Sequence, residues 1–175
     1  MTTDNERLRA LASESGDTRA LAAAAAAATV TRHPVLVFRV GSRLFGTAAH
    51  HVHEVVVSGS LTPVPTARSY VLGITLVRGR VVPVISLGEL LGFQGADESA
   101  PTLPRLLIVR EGALEVAILS DATLGLFEVE LTDLGAANGT RPECIAGEVE
   151  FRGNLMLLVA VPQLLRSLTS DREAR

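Results

Sequence analysis

Tryptophan is absent from this 175-residue chain, and aromatic residues make up only 3% of it. Surfaces that bind single-stranded nucleic acid need stacking rings beside a basic groove, whereas the formal charge here is −3. That balance argues against a nucleic-acid partner and equally against an anionic membrane surface. Only one cysteine occurs, Cys144, which has no partner for an intrachain disulfide; this usage fits a reducing, cytoplasmic compartment. No base stands near Cys144 in sequence, so it reads as a small buried apolar residue rather than a nucleophile. Long apolar runs are also missing. The strongest, Leu155–Val161, is far too short to cross a bilayer, and the Ala20–Ala28 tract is only weakly apolar. The residues before that tract mix Asp4, Glu6, Arg7, Arg9, Glu14 and Asp17, unlike the cationic start of a signal peptide. There is no nucleophile elbow and no Gly-rich phosphate loop leading into a helix. The reading is therefore of a protein that is not an enzyme and needs no cofactor.

What is present is aliphatic: 47% of the residues are hydrophobic, enough for one compact domain or two small ones sharing a core. Residues 1–32 form an Ala-rich, low-complexity leader in which Leu8, Leu11 and Leu21 are too few to make a docking stripe. It is expected to be mobile. From Val35 the composition changes to β-branched and aliphatic runs broken by Gly, Pro, Ser and Asn, the pattern of strands and turns. VLVFRV and RLFGTA around Gly41-Ser42 predict a hairpin, and AAHHVHEV predicts a short helical segment. ITLV and RVVPVI predict a second hairpin closed at Arg78-Gly79, where glycine supplies positive φ. Pro83 is expected at an edge or bulge, since it has no N–H for a ladder. Ser86 followed by Glu89 is a capping box for a short helix that Gly92 ends. After a linker at 93–104 come strands in RLLIVR, LEVAIL, GLFEVE, IAGEVEF and LMLLVAV, and a terminal helix from about Pro162 to Leu168.

The chain repeats itself. Gly73, Arg78, Gly79, Leu87, Leu90 and Leu91 return 74 residues later as Gly147, Arg152, Gly153, Val161, Leu164 and Leu165. Two copies are too few for a solenoid and imply two related half-domains packed together. RVVPVI and LMLLVAV show no alternation, which implies burial on both faces. One face would fill a small barrel and the other would lie against its sister barrel.

The densest titratable cluster is HHVHE, His50–Glu54. On a helix His50 and His53 would be neighbours and, with Glu54, could approach a metal. The spacing matches no metalloprotease pattern and no second cluster accompanies it, so a solvated face is the better reading and no metal site is assigned.

The residues are similar to those of the CheW-like domain family of bacterial chemosensory systems. The carriers are FRVGSRLFGTAAHHVHEV, with Phe38, Gly41, Phe45, Gly46, Val52, Glu54 and Val55 in the family's spacing, then Pro65. GITLVRGRVVPVISL follows with Gly73, Arg78, Gly79, Pro83, Val84 and Leu87, then Asp121 at a usual acidic position, and IAGEVEFRGNLMLLV. The likeness spans about Val37 to Leu168. It departs from the family at Leu76, where Asn is usual, at Ser86, where Asp is usual, and at the missing acid near the end of LMLLVAV.

The resemblance implies an all-β fold of two intertwined five-stranded SH3-like barrels with short helices and a C-terminal helix. It would span residues 33–170, with a first barrel at about 35–92, a second at about 105–168, strand exchange between them allowed, and a tail at 171–175. It also implies a non-catalytic cytoplasmic scaffold. The partners would be the regulatory domain of a CheA-type histidine kinase, the cytoplasmic tips of chemoreceptors and, as a further class, other CheW-like domains. The partner-binding residues it implies are Val52, Glu54, Gly73, Arg78 and Gly79. Two alternatives stand beside this: an accessory member that binds receptors or other CheW-like domains but not the kinase, and a small-ligand or metal-binding all-β domain.

Overall fold

The computed structural model describes residues 32–93, 103–131, 134 and 140–173. The expected leader up to residue 31, most of the 93–104 linker and the end of the tail lie outside the described residues. Ten strands run β1 (Arg32–Val40), β2 (Arg43–Ala48), β3 (Val52–Val57), β4 (Val71–Val77), β5 (Arg80–Ile85), β6 (Arg105–Glu111), β7 (Leu114–Ser120), β8 (Ala122–Glu130), β9 (Ile145–Phe151) and β10 (Asn154–Val159). Helix α1 (Leu87–Leu90) follows β5, and α2 (Val161–Glu173) follows β10.

The strands form two five-stranded sheets, ordered β8-β1-β2-β10-β9 and β3-β6-β7-β5-β4. Exchanging each strand for its counterpart in the other half (β1 with β6, through β5 with β10) turns one order into the other. The internal repeat is therefore a repeat of topology. Each sheet takes strands from both halves of the chain, so residues 92 and 105 separate stretches of sequence and not sheets. β1 and β2 leave for the far sheet while β3, β4 and β5 stay in the near one, which intertwines the two SH3-like barrels.

Three apolar clusters result. Val77, Val82, Val84, Leu106, Ile108 and Ala117 fill one barrel, and Val35, Val37, Val129, Met156 and Leu158 fill the other. Between the sheets lies the largest cluster, which includes Phe38, Phe45, Ile85, Leu107, Val109, Leu157 and Val159. Along β6, Leu106 and Ile108 point into a barrel while Leu107 and Val109 point between the sheets, the period of two read off a strand buried on both faces. The same holds for Met156–Val159 in β10. It fails at the turn-proximal ends, where Val81 and Leu155 are 65% and 57% exposed. There the hairpins run past the sister barrel and lose its cover.

Helix α2 extends beyond the expected Leu168. Val161, Leu164 and Leu165 are buried against the central cluster with Leu168 packed beside them, the spacing of one helical face. Cys144 is fully buried in the same cluster. At α1 the Ser86 hydroxyl accepts the Glu89 N–H at 3.3 Å, and Gly92 ends the segment at φ +73°; the Ser86 N–H donates to Tyr70 O at 2.8 Å, so the cap forms without the return bond of the expected capping box.

Pro83 sits in an inner strand rather than at an edge. The Val77↔Arg80 pair closes the β4–β5 turn, and counting back from it places Ile74↔Pro83 at an alternate, non-hydrogen-bonded pair. The parallel pairing of β5 with β7 is confined to Val84 and Ile85. Neither ladder asks Pro83 for an N–H.

Candidate functional site

The expected helix over AAHHVHEV is only a 3-10 turn, Ala49–His51, after which β3 begins. The β-branched residues Val52, Val55, Val56 and Val57 favour a strand that pairs with β6, and that pairing overrides the local helical pattern. His50 and His53 are thus not helical neighbours. His50 instead packs on His51 with ring centroids 4.0 Å apart, and His51 Nδ1 lies 3.1 Å from Glu111. Among the described residues no group of three or more His, Cys, Asp or Glu side chains is placed to hold a metal ion.

A register shift between Val52 and Glu54 leaves His53 as an extra residue in β3. Such a bulge re-aims the side chains on either side of it. Val52, opposite Val109, packs against the central cluster. Glu54, opposite Ile108, turns to the barrel side. The two candidate site residues on β3 therefore face opposite ways, Val52 half-buried as packing and Glu54 at the mouth of a barrel.

At that mouth four charged side chains meet. Arg78 Nε donates to Glu54 Oε2 at 2.7 Å. Arg80 Nη1 lies 2.7 Å from both carboxylate oxygens of Glu115, and its Nη2 reaches Glu54 Oε1 at 3.5 Å. β3 and β4 are the two ends of the open strand order, so the contact from Glu54 to the β4–β5 turn joins ends that the ladder leaves apart. Hydrogen bonding by Arg78 chiefly holds the Glu54 carboxyl below its ordinary range, against the opposing effect of partial burial. The charges of Arg78, His53 and Arg80 add to the lowering. Glu54 in turn raises the Arg78 pKa. Glu54 is only 13% exposed while Arg78 is 77% exposed, so the carboxylate anchors and the guanidinium faces solvent.

The turn that carries Arg78 differs from expectation in one respect: Arg78 (φ +47°) and Gly79 (φ +80°) both take positive φ. Two such residues make a type I′ turn, whose twist matches that of the flanking strands. Arg152 and Gly153 repeat it at +52° and +77°. Gly73 serves the fold. A Cβ there would stand 2.5 Å from the Thr62 carbonyl oxygen, because Thr62 and Ile74 exchange two backbone hydrogen bonds at 2.8 and 2.9 Å. Asp121 accepts the Gly41 N–H and donates its own N–H to Arg39 O at 2.9 Å, tying the β7–β8 junction to the β1–β2 turn. Beside it an open cleft of about 600 Å³ draws on both sheets, with Val40, Leu72, Ser86, Phe93 and Asp121 among its walls.

The second copy of the hairpin is built differently. Arg152 lies over the rings of Phe127 and Phe151, 4.7 and 5.3 Å from their centroids, and those rings meet edge to face at 5.1 Å. One mouth is ionic and the other aromatic. Sequence reasoning found Glu54 and Arg78 but missed Arg80 and Glu115. The signal that could have found Arg80 is its contrast with Asn154, 74 residues on.

Two intertwined five-stranded SH3-like barrels with a charged hairpin at one mouth define the class of fold. The profile of the CheW-like domain family matches residues 34–169, and the chain belongs to that family. It is 24% identical over 140 residues to the chemotaxis protein CheW of Thermotoga maritima, covering 77% of this chain and 89% of that one. It is 32% identical over 120 residues to the protein FrzA of Myxococcus xanthus, covering 67% and 74%. The scaffolding protein CheW of Thermoanaerobacter tengcongensis has the same fold, with a TM-score of 0.65 at 20% identity over 74% of this chain and 85% of that one. Among the described residues no helix is long and apolar enough to cross a membrane.

Proposed function

We propose that this chain is a non-catalytic cytoplasmic coupling protein that links the cytoplasmic tips of chemoreceptors to the regulatory domain of a CheA-type histidine kinase. The observation that carries the reading is the presentation of Arg78: a guanidinium 77% exposed, held at Nε by a mostly buried carboxylate on β3, at the other end of the strand order. Arginine fixed in this way can still offer its terminal N–H groups to a partner carboxylate or carbonyl. Leu76 and Val81, paired across the same hairpin and 68% and 65% exposed, supply apolar area beside the charge. An anchored arginine with flanking aliphatic groups is the composition of an interface core. Within this reading Arg78 and Glu54 make the recognition contact, and Val52, Gly73 and Gly79 support the strands and turn that present it.

Titration of a receptor cytoplasmic fragment and of the kinase regulatory domain against the wild type, Arg78→Glu and Arg152→Glu tests this. The wild type should bind both. Arg78→Glu, which sets two carboxylates together, should weaken binding by about tenfold or more if the contact is desolvated, and Arg152→Glu by much less. Failure of the wild type to bind either fragment would refute the proposal, and equal affinities for all three proteins would leave Arg78 as a turn residue and move the interface elsewhere. Binding of the receptor fragment alone would favour the accessory role.

A further inference from the structure

Both copies of the repeat carry an arginine at the turn and a glutamate 24 residues before it: Arg78 with Glu54, and Arg152 with Glu128, each 74 residues on. Only the first copy forms the ion pair: Glu54 turns to the barrel side at the β3 bulge, whereas Glu128 is exposed between Phe127 and Val129, which pack on the barrel cluster, and Arg152 lies over two phenylalanine rings. Having the two residues is therefore not sufficient.

The rest of each mouth differs as well. In the first copy Arg80 stands on the barrel side of β5, opposite Val77 of the barrel cluster. Glu115 stands on the same side of β7, two residues before Ala117 of that cluster. Arg80 uses one amino group on Glu115 at 2.7 Å and the other toward Glu54 at 3.5 Å. In the second copy the counterpart of Arg80 is Asn154, which donates to Arg152 O at 3.2 Å within its own turn. The first hairpin's Gly112 follows Gly41 by 71 residues, and by that offset the counterpart of Glu115 is Leu44, which packs on the barrel cluster with Phe127 and Phe151. The copy that lacks the bridging pair also lacks the Arg–Glu contact.

We propose that Arg80, anchored by Glu115, is a positioning residue that holds the Glu54 carboxylate where Arg78 can meet it through Nε, and so sets the direction in which Arg78 is presented. The guanidinium is suited to this because its amino groups diverge in one plane, so a single side chain can address carboxylates on two strands. Glu54 and Glu115 are 13% and 15% exposed and Arg80 is 41% exposed, so the bridge lies beneath Arg78 and not beside it. Its importance for partner binding rests on the function proposed above; its effect on Arg78 does not.

The experiment is NMR of the full ¹⁵N- and ¹³C-labelled chain without any partner, comparing wild type, Arg80→Gln and Glu115→Gln. The readouts are the Arg78 Nε–H cross-peak and the titration of the Glu54 side-chain carboxyl carbon. In wild type the Arg78 Nε–H should be protected and visible at neutral pH. Both variants should lose that protection and shift the Glu54 titration upward, while the Arg152 Nε–H signal and the thermal midpoint stay near wild type. An unchanged Arg78 signal and Glu54 titration in both variants would overturn the proposal, leaving Arg80–Glu115 as a separate ion pair. So would parallel loss of the Arg152 signal, which would mark a general loosening of the fold. If the NMR result holds while Arg78→Glu binds receptor and kinase fragments like wild type, the positioning role stands and the recognition role of Arg78 fails; if the wild type binds neither fragment, the coupling function fails.

Discussion

Replacing Gly73 with alanine separates a residue that builds the proposed recognition hairpin from one that would touch a partner. Gly73 sits at φ +145°, a region in which an L-residue costs of order 1–3 kcal/mol. Its new methyl would stand 2.5 Å from the Thr62 carbonyl oxygen and 3.0 Å from the Thr62 carbonyl carbon. Both are backbone atoms and cannot swing aside. Thr62 must retreat, and the two hydrogen bonds it exchanges with Ile74 weaken or break, at about 0.5–1.5 kcal/mol each. Alanine's stiffer unfolded chain returns about 0.4–1 kcal/mol. The net loss is roughly 2–5 kcal/mol, which for a domain of this size lowers the thermal midpoint by about 5–15 °C.

Thermal unfolding followed by circular dichroism measures this, with Gly79→Ala as the comparison. Gly79 has φ +80°, but a methyl group there would meet no atom within 4 Å, so only the backbone term of about 1–3 kcal/mol applies and the shift should be the smaller. Well below its midpoint, Gly73→Ala should bind receptor and kinase fragments with near wild-type affinity. A midpoint within about 2 °C of wild type, or a larger effect from Gly79→Ala, would refute the reasoning from Thr62.

Three further outcomes are expected. Phe45→Ala should cost about 3–5 kcal/mol, read as a lower urea midpoint, because Phe45 is 1% exposed in the central cluster and stacks on Phe38 at 5.8 Å. The His51 imidazole is pushed below its ordinary value, first by burial and then by His50, with Glu111 opposing. The unfolded chain therefore takes up that proton first as pH falls through about 6.5, so stability present above that pH declines below it, and His51→Gln should flatten the urea midpoint across this window. Protein purified without a histidine tag should carry no stoichiometric zinc by elemental analysis, since His50 and His51 pack ring to ring and His53 lies beyond them at the β3 bulge; one zinc per chain, lost in a His50/His53 double variant, would reverse that.

The sheets were legible because both rest on patterns of period and repetition. The aliphatic runs, the turn residues and the 74-residue echo of Arg78-Gly79 are properties of neighbours along the chain. Strand exchange was allowed for but its arrangement was not readable, because which sheet β1 and β2 join depends on contacts between Leu157, Val159, Phe38 and Phe45 that only the assembled halves create. The helix expected around His50 failed for a related reason: a short stretch with a plausible helical pattern lost to a ladder with β6, far along the chain. Pro83 misled because edge position is the common way to tolerate proline in a sheet. Here the same end is met by alternation on one side and a two-residue pairing on the other. Glu54 and Arg78 were found through family likeness. Arg80 and Glu115 were not, since neither residue type nor spacing marks a contact between strands 35 residues apart.

A body with two copies of one topology needs some difference between them to be held in a single orientation, because otherwise a partner could meet either hairpin. The two turns provide none. Arg78 and Arg152 take nearly the same φ, 47° and 52°, in turns of the same type. The difference lies in what fills each barrel beneath the turn. Phe127 and Phe151 draw the Arg152 guanidinium against their faces, where a cation is attracted to the ring and its own face is covered. Glu54 takes Arg78 by Nε, at the edge of the guanidinium nearest the chain, and leaves its terminal amino groups outermost. Exchange of a few side chains at equivalent positions, Glu115 for Leu44 and Arg80 for Asn154, together with the bulge at His53 that turns Glu54 inward, thus changes an arginine from packing to presentation without altering the turn. Under the proposed function that is how a near-symmetric module gains one recognition end: specificity is a difference in affinity between two similar surfaces, and here the interior of each barrel sets it.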